Sequence, residues 1–255
     1  MKQAWLAIDT ATGLASVAVW HPREGEHPVD ASDVLRGSRR QASGMVLLVD
    51  NVLQRAETTL DDLAGIVVGD GPGSFTGLRI GWAVAKGLAQ VRDIPMHAVP
   101  SLMGLAWVGW HEVGRAKAVT IAACYDALRG QVYGAIYRLT ADRVETIVPP
   151  AAMTIGELRQ LAPSVPDAAI GDGARRFAEE IQTWIARAPL KDLAEHDGHA
   201  TVARGLLALI RYEGAAYRIS VPATAEPVYG RLAEAQVKWE ARHGRPLRDP
   251  SRPGR

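Results

Sequence analysis

Between Val67 and Gly81 the chain reads VVGDGPGSFTGLRIG, an apolar run that passes through Gly71, Pro72, Gly73, Ser74 and Thr76 into a helical pattern. At a glycine-rich turn opening a helix, backbone N–H groups converge with the positive end of the helix dipole, and phosphate is the ligand such a turn suits. Two phosphate loops can be tested on spacing alone. A P-loop needs Lys and then Ser or Thr after its second spaced glycine, whereas Gly77 is followed by Leu78. The dinucleotide turn needs a third glycine or alanine where Thr76 stands, and an acid at the end of the next strand. That strand ends HAVPS, and Asp93 lies before it. Neither pattern fits.

A second phosphate candidate lies near the start of the chain. AIDTATG, Ala7 to Gly13, resembles the D-x-G/T-x-T/S hairpin of the actin, Hsp70 and sugar-kinase superfold. There, such hairpins hold one end of a triphosphate while a glycine-containing turn approaches from the facing domain. On that reading Asp9 orients a metal or water and Thr10 and Thr12 offer hydroxyls. Gly71, Gly73 and Ser74 then complete a phosphate site that is at most vestigial. The local alternative is that Asp9 and the threonines cap a tight turn, while Gly71, Pro72 and Gly73 shape a loop whose Ser74 or Thr76 caps the next helix.

Other candidate groups are sparser. IGDGARRF places Gly171 and Gly173 at a strand-to-helix turn where an adenosine loop would lie, with Asp70 and Asp126 as the aspartates available to an ATP-using enzyme. EHDGH sets His196 and His199 beside Glu195 and Asp197. Metal ligands need a rigid element and an open position, and this polar stretch reads as a solvated loop, which leaves a metallopeptidase the lesser alternative. His97 lies in an apolar strand and reads as a hydrogen-bonded core or edge residue.

These residues need elements to position them. AWLAID (4–9) and ASVAVW (15–20) are β-type runs joined by turn residues, hence a hairpin, and a third strand is expected over 29–35. Ser43 is the expected N-cap of a helix reaching Ala56, with Met45, Leu48, Val49, Val52, Leu53 and Ala56 on one face and Leu47 on its polar side. AGIVVGD is a buried strand. The helix FTGLRIGWAVAKGLAQV carries a small-residue stripe, Gly77, Gly81 and Ala85, beside an apolar face of Ile80, Val84, Leu88 and Val91. Such a stripe admits another backbone closely, from a partner or from its own sheet. IPMHAV and PSLMGLAW continue the pattern as strand and helix, with Trp107 and Trp110 in core packing.

The second half reads AVTIAAC and QVYGAIYRL as strands and TIGELRQLA as a helix. DAAIGDG is a strand, and ARRFAEEIQTWIARA and TVARGLLALIRYEG are helices, Trp184 lying in the first. The fold class is α/β in two lobes, 1–101 and 102–225. Residues 226–255 form a C-terminal helix, which holds Trp239, and a basic Pro/Gly-rich tail with five arginines against one aspartate.

The bulk numbers exclude more than they select. The chain has 255 residues, 47% hydrophobic, with 29 Lys and Arg against 28 Asp and Glu. A near-neutral balance gives no electrostatic argument for strong direct binding to nucleic acid or membrane. One cysteine, Cys124, rules out an internal disulfide and a thiolate zinc site. MKQAWLAIDTATG is too short an apolar stretch for a signal peptide, and a soluble cytoplasmic protein is expected.

Read together, AIDTATGLASVAVW, GDGPGSFTGLRIGWAVAKGLA and AEPVYGR resemble the TsaB (YeaZ) family, the non-catalytic paralogue in the bacterial tRNA threonylcarbamoyladenosine system. GPGSFTGLR is its most specific run. The likeness covers most of 4–139, fades, and returns at 225–231. The family's segment DAR-x-x-E-V-Y is met by Asp126, Ala127, Val132 and Tyr133, but Leu128 stands where its arginine is expected and Gln131 where its glutamate is. Gln41 takes the place of a histidine common in the family. The resemblance implies the two-lobed actin/Hsp70/sugar-kinase superfold, no catalytic residue, no metal and no tightly bound cofactor, with room for weak nucleotide binding. It implies pairing through first-lobe helices with the catalytic subunit TsaD, or with a second copy when TsaD is missing. The ATPase TsaE joins them, and tRNA is met through the complex. Met45, Leu48, Val49, Val52, Gly77, Gly81 and Ala85 are the residues expected at that interface.

Overall fold

The two apolar runs near the N-terminus are buried on both faces, and Thr12 and Gly13 turn the chain between them. β1 (Ala4–Asp9) and β2 (Leu14–His21) pair antiparallel with Asp9 opposite Ser16, and β3 (Val29–Arg36) extends the sheet. The structure is a computed structural model that describes residues 3–22, 29–114, 118–190, 201–213, 217–231 and 242–244. After β3 the chain crosses through α1 (Ser38–Arg55) to β4 (Leu63–Gly69), parallel to β1. It then passes through α2 (Phe75–Arg92) to β5 (Met96–Val99), parallel to β4. The sheet order is β3-β2-β1-β4-β5.

The second half winds the same way. After α3 (Ser101–Glu112), β6 (Val119–Asp126), β7 (Val132–Leu139) and β8 (Val144–Met153) form an antiparallel meander. α4 (Ile155–Leu161) then returns the chain to β9 (Ala168–Ile170), parallel to β6, and the order is β8-β7-β6-β9. α5 (Asp172–Arg176), α6 (Ala178–Ile185) and α7 (Val202–Glu213) follow. Two similarly wound lobes bear out the expected fold class.

Three apolar clusters stack these elements in five layers. One joins α1 and α2 to the outer face of the first sheet, and another joins α4 and α6 to the outer face of the second. The largest holds α3 and α7 between the two sheets. α3 is apolar almost all round, and nine of its twelve residues are buried, as a central helix requires. α3 and α7 meet where a side chain on Gly205 would overlap the Gly104 backbone. The lobes exchange these helices: α3 lies against β6 and β7, while α7 lies against β1 and β2. Ala203 N–H donates to Ser16 Oγ at 3.1 Å, and Arg204 pairs with Asp30 at 3.1 Å. α7 was expected in the second lobe and packs on the first sheet instead.

Three further expectations need correction, and an open choice of helix cap is settled. α1 begins at Ser38 and not after Ser43, because Gly37 (φ 92°) turns the chain out of β3 with its N–H on the Gly13 carbonyl at 3.0 Å. The polar stretch 38–42 then adds helix before the apolar face starts. β8 was missed because it contains Pro149 and Pro150. It is an edge strand with a register shift, where proline is tolerated. The helix read through 174–188 is broken at Phe177 (φ −109°, ψ 40°) into α5 and α6. Ser74, and not Thr76, caps α2, its Oγ accepting from Gly77 N–H at 3.2 Å. Of the expected C-terminal helix and basic tail over 226–255, residues 226–231 are described and not helical, and the rest, Trp239 included, lies with the His196–His199 cluster outside the described residues, save Arg242–Gly244. Among the described residues no helix is long and apolar enough to cross a membrane.

Candidate functional site

Each lobe sends its loops toward the other, and a cleft of about 920 Å³ opens between them. The β1–β2 turn and the loop before α2 line one side. The β6–β7 turn and the start of α5 line the other, and Tyr229 and Arg231 reach in from the C-terminal segment. Of the six residues expected at a phosphate site, Thr12, Gly73 and Ser74 line this cleft. Asp9, Thr10 and Gly71 do not: each is buried inside the first lobe.

The polar groups at that site are engaged with their own backbone. Thr12 Oγ1 accepts from Leu14 N–H at 3.1 Å and Ser74 Oγ caps α2. Ser74 N–H donates to the Ala11 carbonyl at 2.7 Å, and a side chain on Gly73 would overlap that same carbonyl. The glycine loop is therefore pressed against the hairpin turn of its own lobe, with glycine required because two backbones touch. Gly171 and Gly173 behave alike, since a side chain on either would strike the Cys124 or Tyr125 backbone.

Asp9 is an internal strut. Ser101 Oγ donates to Asp9 Oδ2 at 2.5 Å and Ala11 N–H donates to Oδ1 at 3.3 Å, tying the end of β1 to the start of α3. Burial pushes its carboxyl up from 3.8 to about 6, against the lowering effect of those two hydrogen bonds. A folded-state value above the unfolded one means the folded chain holds the extra proton between about pH 4 and 6. Stability from this group is thus present below that window and falls as pH rises through it. Asp9→Asn, a neutral near-isostere, is expected to flatten the stability profile between pH 4 and 6 by an amount on the order of 3 kcal/mol, read from urea midpoints across that range. An unchanged slope would remove Asp9 as its source.

Asp70 and Asp126 are structural as well. Val228 N–H donates to the Asp70 carbonyl at 2.8 Å and to its Oδ1 at 3.3 Å, and burial pushes the carboxyl up to about 6. Asp126 pairs with Arg176 at 2.8 Å. His97 is buried on β5 with its ring 5.2 Å from Trp5, and burial and the Arg218 charge hold its pKa below the usual value. Among the described residues no three His, Cys, Asp or Glu side chains are grouped to hold a metal.

The C-terminal segment is a clasp the sequence does not announce. Ile219 N–H bonds the Met96 carbonyl at 2.9 Å, along the edge of β5. The Tyr229 ring lies 4.5 Å from Phe75, and its hydroxyl accepts from Arg79 Nε at 3.3 Å. Arg231 then crosses to the second lobe, donating to the Ala127 carbonyl and to Gln131 Oε1, with its guanidinium 5.5 Å from the Tyr133 ring. Gln131→Glu turns a neutral acceptor into a charged one, and charge-assisted bonds are about twice as strong. It is expected to raise stability by about 1 kcal/mol, seen as a higher thermal midpoint, while Arg231→Ala lowers the midpoint and speeds amide exchange over 127–133.

The residues expected at a partner interface lie inward. Met45, Leu48, Val49 and Val52 are buried at 0–7% exposure in the core beneath α1. Gly77, Gly81 and Ala85 are buried too, and side chains on Gly77 and Gly81 would overlap the Thr10 carbonyl and Thr10 Oγ1. The small-residue stripe thus seats α2 on its own β1–β2 turn. The outward face is a different set: Val46 (65% exposed), Leu47 (62%) and Val91 (77%). A shallow groove between α1 and α2, lined by Val46, Val84, Leu88 and Val91, is almost wholly apolar. The signal for this face was Leu47 on the polar side of α1 and Val91 on α2.

Known proteins share this chain's sequence and shape. A model of the family described as "TsaD: tRNA N6-adenosine threonylcarbamoyltransferase" matches residues 36–191. The tRNA threonylcarbamoyladenosine biosynthesis protein TsaB of Bacillus subtilis (strain 168) is 30% identical over 237 residues, 92% of this chain and 96% of that protein. The Escherichia coli (strain K12) protein of the same name is 39% identical over 133 residues, 52% of this chain; the match spans 54% of that relative's length. The solved structure of YeaZ from Pseudomonas aeruginosa superimposes with a TM-score of 0.66 at 28% identity, covering 89% of this chain and 99% of that one.

Proposed function

The chain belongs to the TsaB (YeaZ) family, and from that membership we propose that it is a non-catalytic subunit of the machinery that makes threonylcarbamoyladenosine in tRNA. Its role is to dock on the catalytic subunit TsaD through the outer face of α1 and α2 and hold that subunit in its active form. The ATPase TsaE completes the assembly, tRNA is met through the complex, and the site of action is the cytoplasm.

The observation that carries this reading is the apolar face of Val46, Leu47, Val84, Leu88 and Val91 on two adjacent helices. Exposed contiguous apolar surface marks an interaction site more often than chance scatter does, and two parallel helical ridges suit helix-on-helix packing with a partner. The cleft supports the non-catalytic part, because its loop hydroxyls and the two aspartates that line it are bound to the chain's own groups, Asp126 to Arg176 and Asp172 to the Asp126 and Gly173 N–H groups. An ATP-using enzyme needs those groups for its substrate.

Sedimentation of this chain with TsaD from the same source tests the docking. The expected result is a one-to-one complex at concentrations of about 1–10 μM, the range of specific but transient assemblies. Two separate boundaries at those concentrations would overturn it, and self-association of this chain alone would redirect the face to a second copy.

A further inference from the structure

On the inner face of the first sheet, away from both the cleft and the outer helices, Trp5 and Trp20 stand side by side as a directly opposed β1–β2 pair. The Trp5 indole spreads across β4 because position 65 is glycine, where any side chain would overlap the ring. α7 covers these rings with Leu207 and Ile210 and leaves a cavity of about 200 Å³ between helix and indoles. Its one charged lining residue is Arg211, whose guanidinium lies 4.1 Å above the Trp20 ring.

Arg211 differs from the other arginine on this face. Arg204, two turns earlier on α7, is paired with Asp30. Among the described residues Arg211 makes no hydrogen bond or ion pair, and the Trp20 indole is the group its charge rests on there. Stacking holds a guanidinium flat and leaves its N–H edge directed outward, the geometry that receives a carboxylate in a bidentate pair. A dry cavity of about 150 Å³ is enough for a benzene ring, so this one takes a phenyl group or a branched alkyl group of similar size.

We propose that this pocket binds a small carboxylate with an aromatic or branched aliphatic body, the apolar part between Trp5, Trp20, Leu207 and Ile210 and the carboxylate on Arg211. The site is independent of the docking face and of the inter-lobe cleft, and its test does not involve a partner protein.

Phenylacetate is the probe, with its neutral analogue phenylacetamide as control. The indole N–H resonances of Trp5 and Trp20, assigned through Trp5→Phe and Trp20→Phe, are followed during titration of the whole chain. The expected result is a saturable shift of those two resonances with a dissociation constant on the order of 1 mM, as befits a fragment of about ten heavy atoms. Phenylacetamide on the native chain, and phenylacetate on Arg211→Gln, are expected to bind about ten-fold more weakly. Resonances of Trp5 and Trp20 that stay fixed while phenylacetate rises well past that concentration would overturn the site. Equal binding of acid and amide, or an unaffected Arg211→Gln, would overturn the ligand class.

Discussion

Val46→Glu and Val91→Lys are each expected to weaken binding to TsaD by about 100-fold or more while leaving the chain folded. Both side chains are more than three-fifths exposed, at 65% and 77%, so neither substitution opens a core cavity. Each also suits its helix. Glu has a better helix propensity than Val in the middle of α1, and Lys in the last turn of α2 complements the negative end of the dipole. Free-chain stability should therefore stay within about 0.5 kcal/mol. In a docked complex the same charges would be buried without partners, which costs several kcal/mol and converts to two or more decades of affinity. The measurement is a binding isotherm and a thermal midpoint on each variant. Retained affinity with an unchanged midpoint would show that the face is solvent in the complex.

Gly77→Ala is the second large effect, and it acts on the fold and not on the partner. Alanine at an exposed helix position gains about 1 kcal/mol over glycine, and Gly87, with open space around it, should show that gain. At Gly77 the new methyl would overlap the Thr10 carbonyl, which is backbone held in the β1–β2 turn, so the loop and the start of α2 must separate. The expected cost is about 3 kcal/mol, at the upper end of overpacking effects. One helix, one substitution type and opposite signs make the pair self-controlled in urea unfolding. If Gly77→Ala were as stable as Gly87→Ala, the close seating of α2 on the turn would be wrong.

That pair also shows where reading from sequence stops. The stripe of Gly77, Gly81 and Ala85 announces that a backbone comes close, but residue size does not say whose backbone it is. Here it belongs to Thr10, more than sixty positions earlier. The hairpin, β4, α2 and the central helix α3 were legible because period-2 and period-3.6 patterns are local and the turn residues between them are distinctive. β8 was not, since Pro149 and Pro150 argue against a strand unless its edge position is known. The exposed apolar face of α1 and α2 was half visible. An apolar residue on the polar side of a helix, such as Leu47, is either scatter or an interface, and only the exposure of Val46, Leu47 and Val91 together separates the two.

The glycine loop is a similar case. Its composition is that of a phosphate cradle, and the chemistry of GPGSFTG is compatible with one. The outcome depended on contacts to Ala11 and Thr10 that are remote in sequence. Asp9 read either as a metal-orienting carboxylate or as a cap on its own turn; it does cap the turn, through Ala11 N–H, and is also a buried strut on Ser101, ninety-two positions away. The Arg231–Gln131 contact joins residues one hundred positions apart, and the run AEPVYGR marks Arg231 without naming its partner. What the sequence does carry there is the pair of departures from the family pattern, Leu128 and Gln131. The structure gives Gln131 a partner and leaves Leu128 exposed at the cleft mouth with φ 61°.

On the proposed role, this chain enables a reaction it does not perform. The direct measurement is threonylcarbamoyl transfer from the adenylate donor to an ANN-decoding tRNA by TsaD and TsaE from the same source. It is run without this chain, with it, with Val46→Glu in its place, and with this chain alone. Product is expected only when the native chain joins the two partners, with little from Val46→Glu and none from the chain alone. Equal product without the chain, or product from the chain alone, would contradict it.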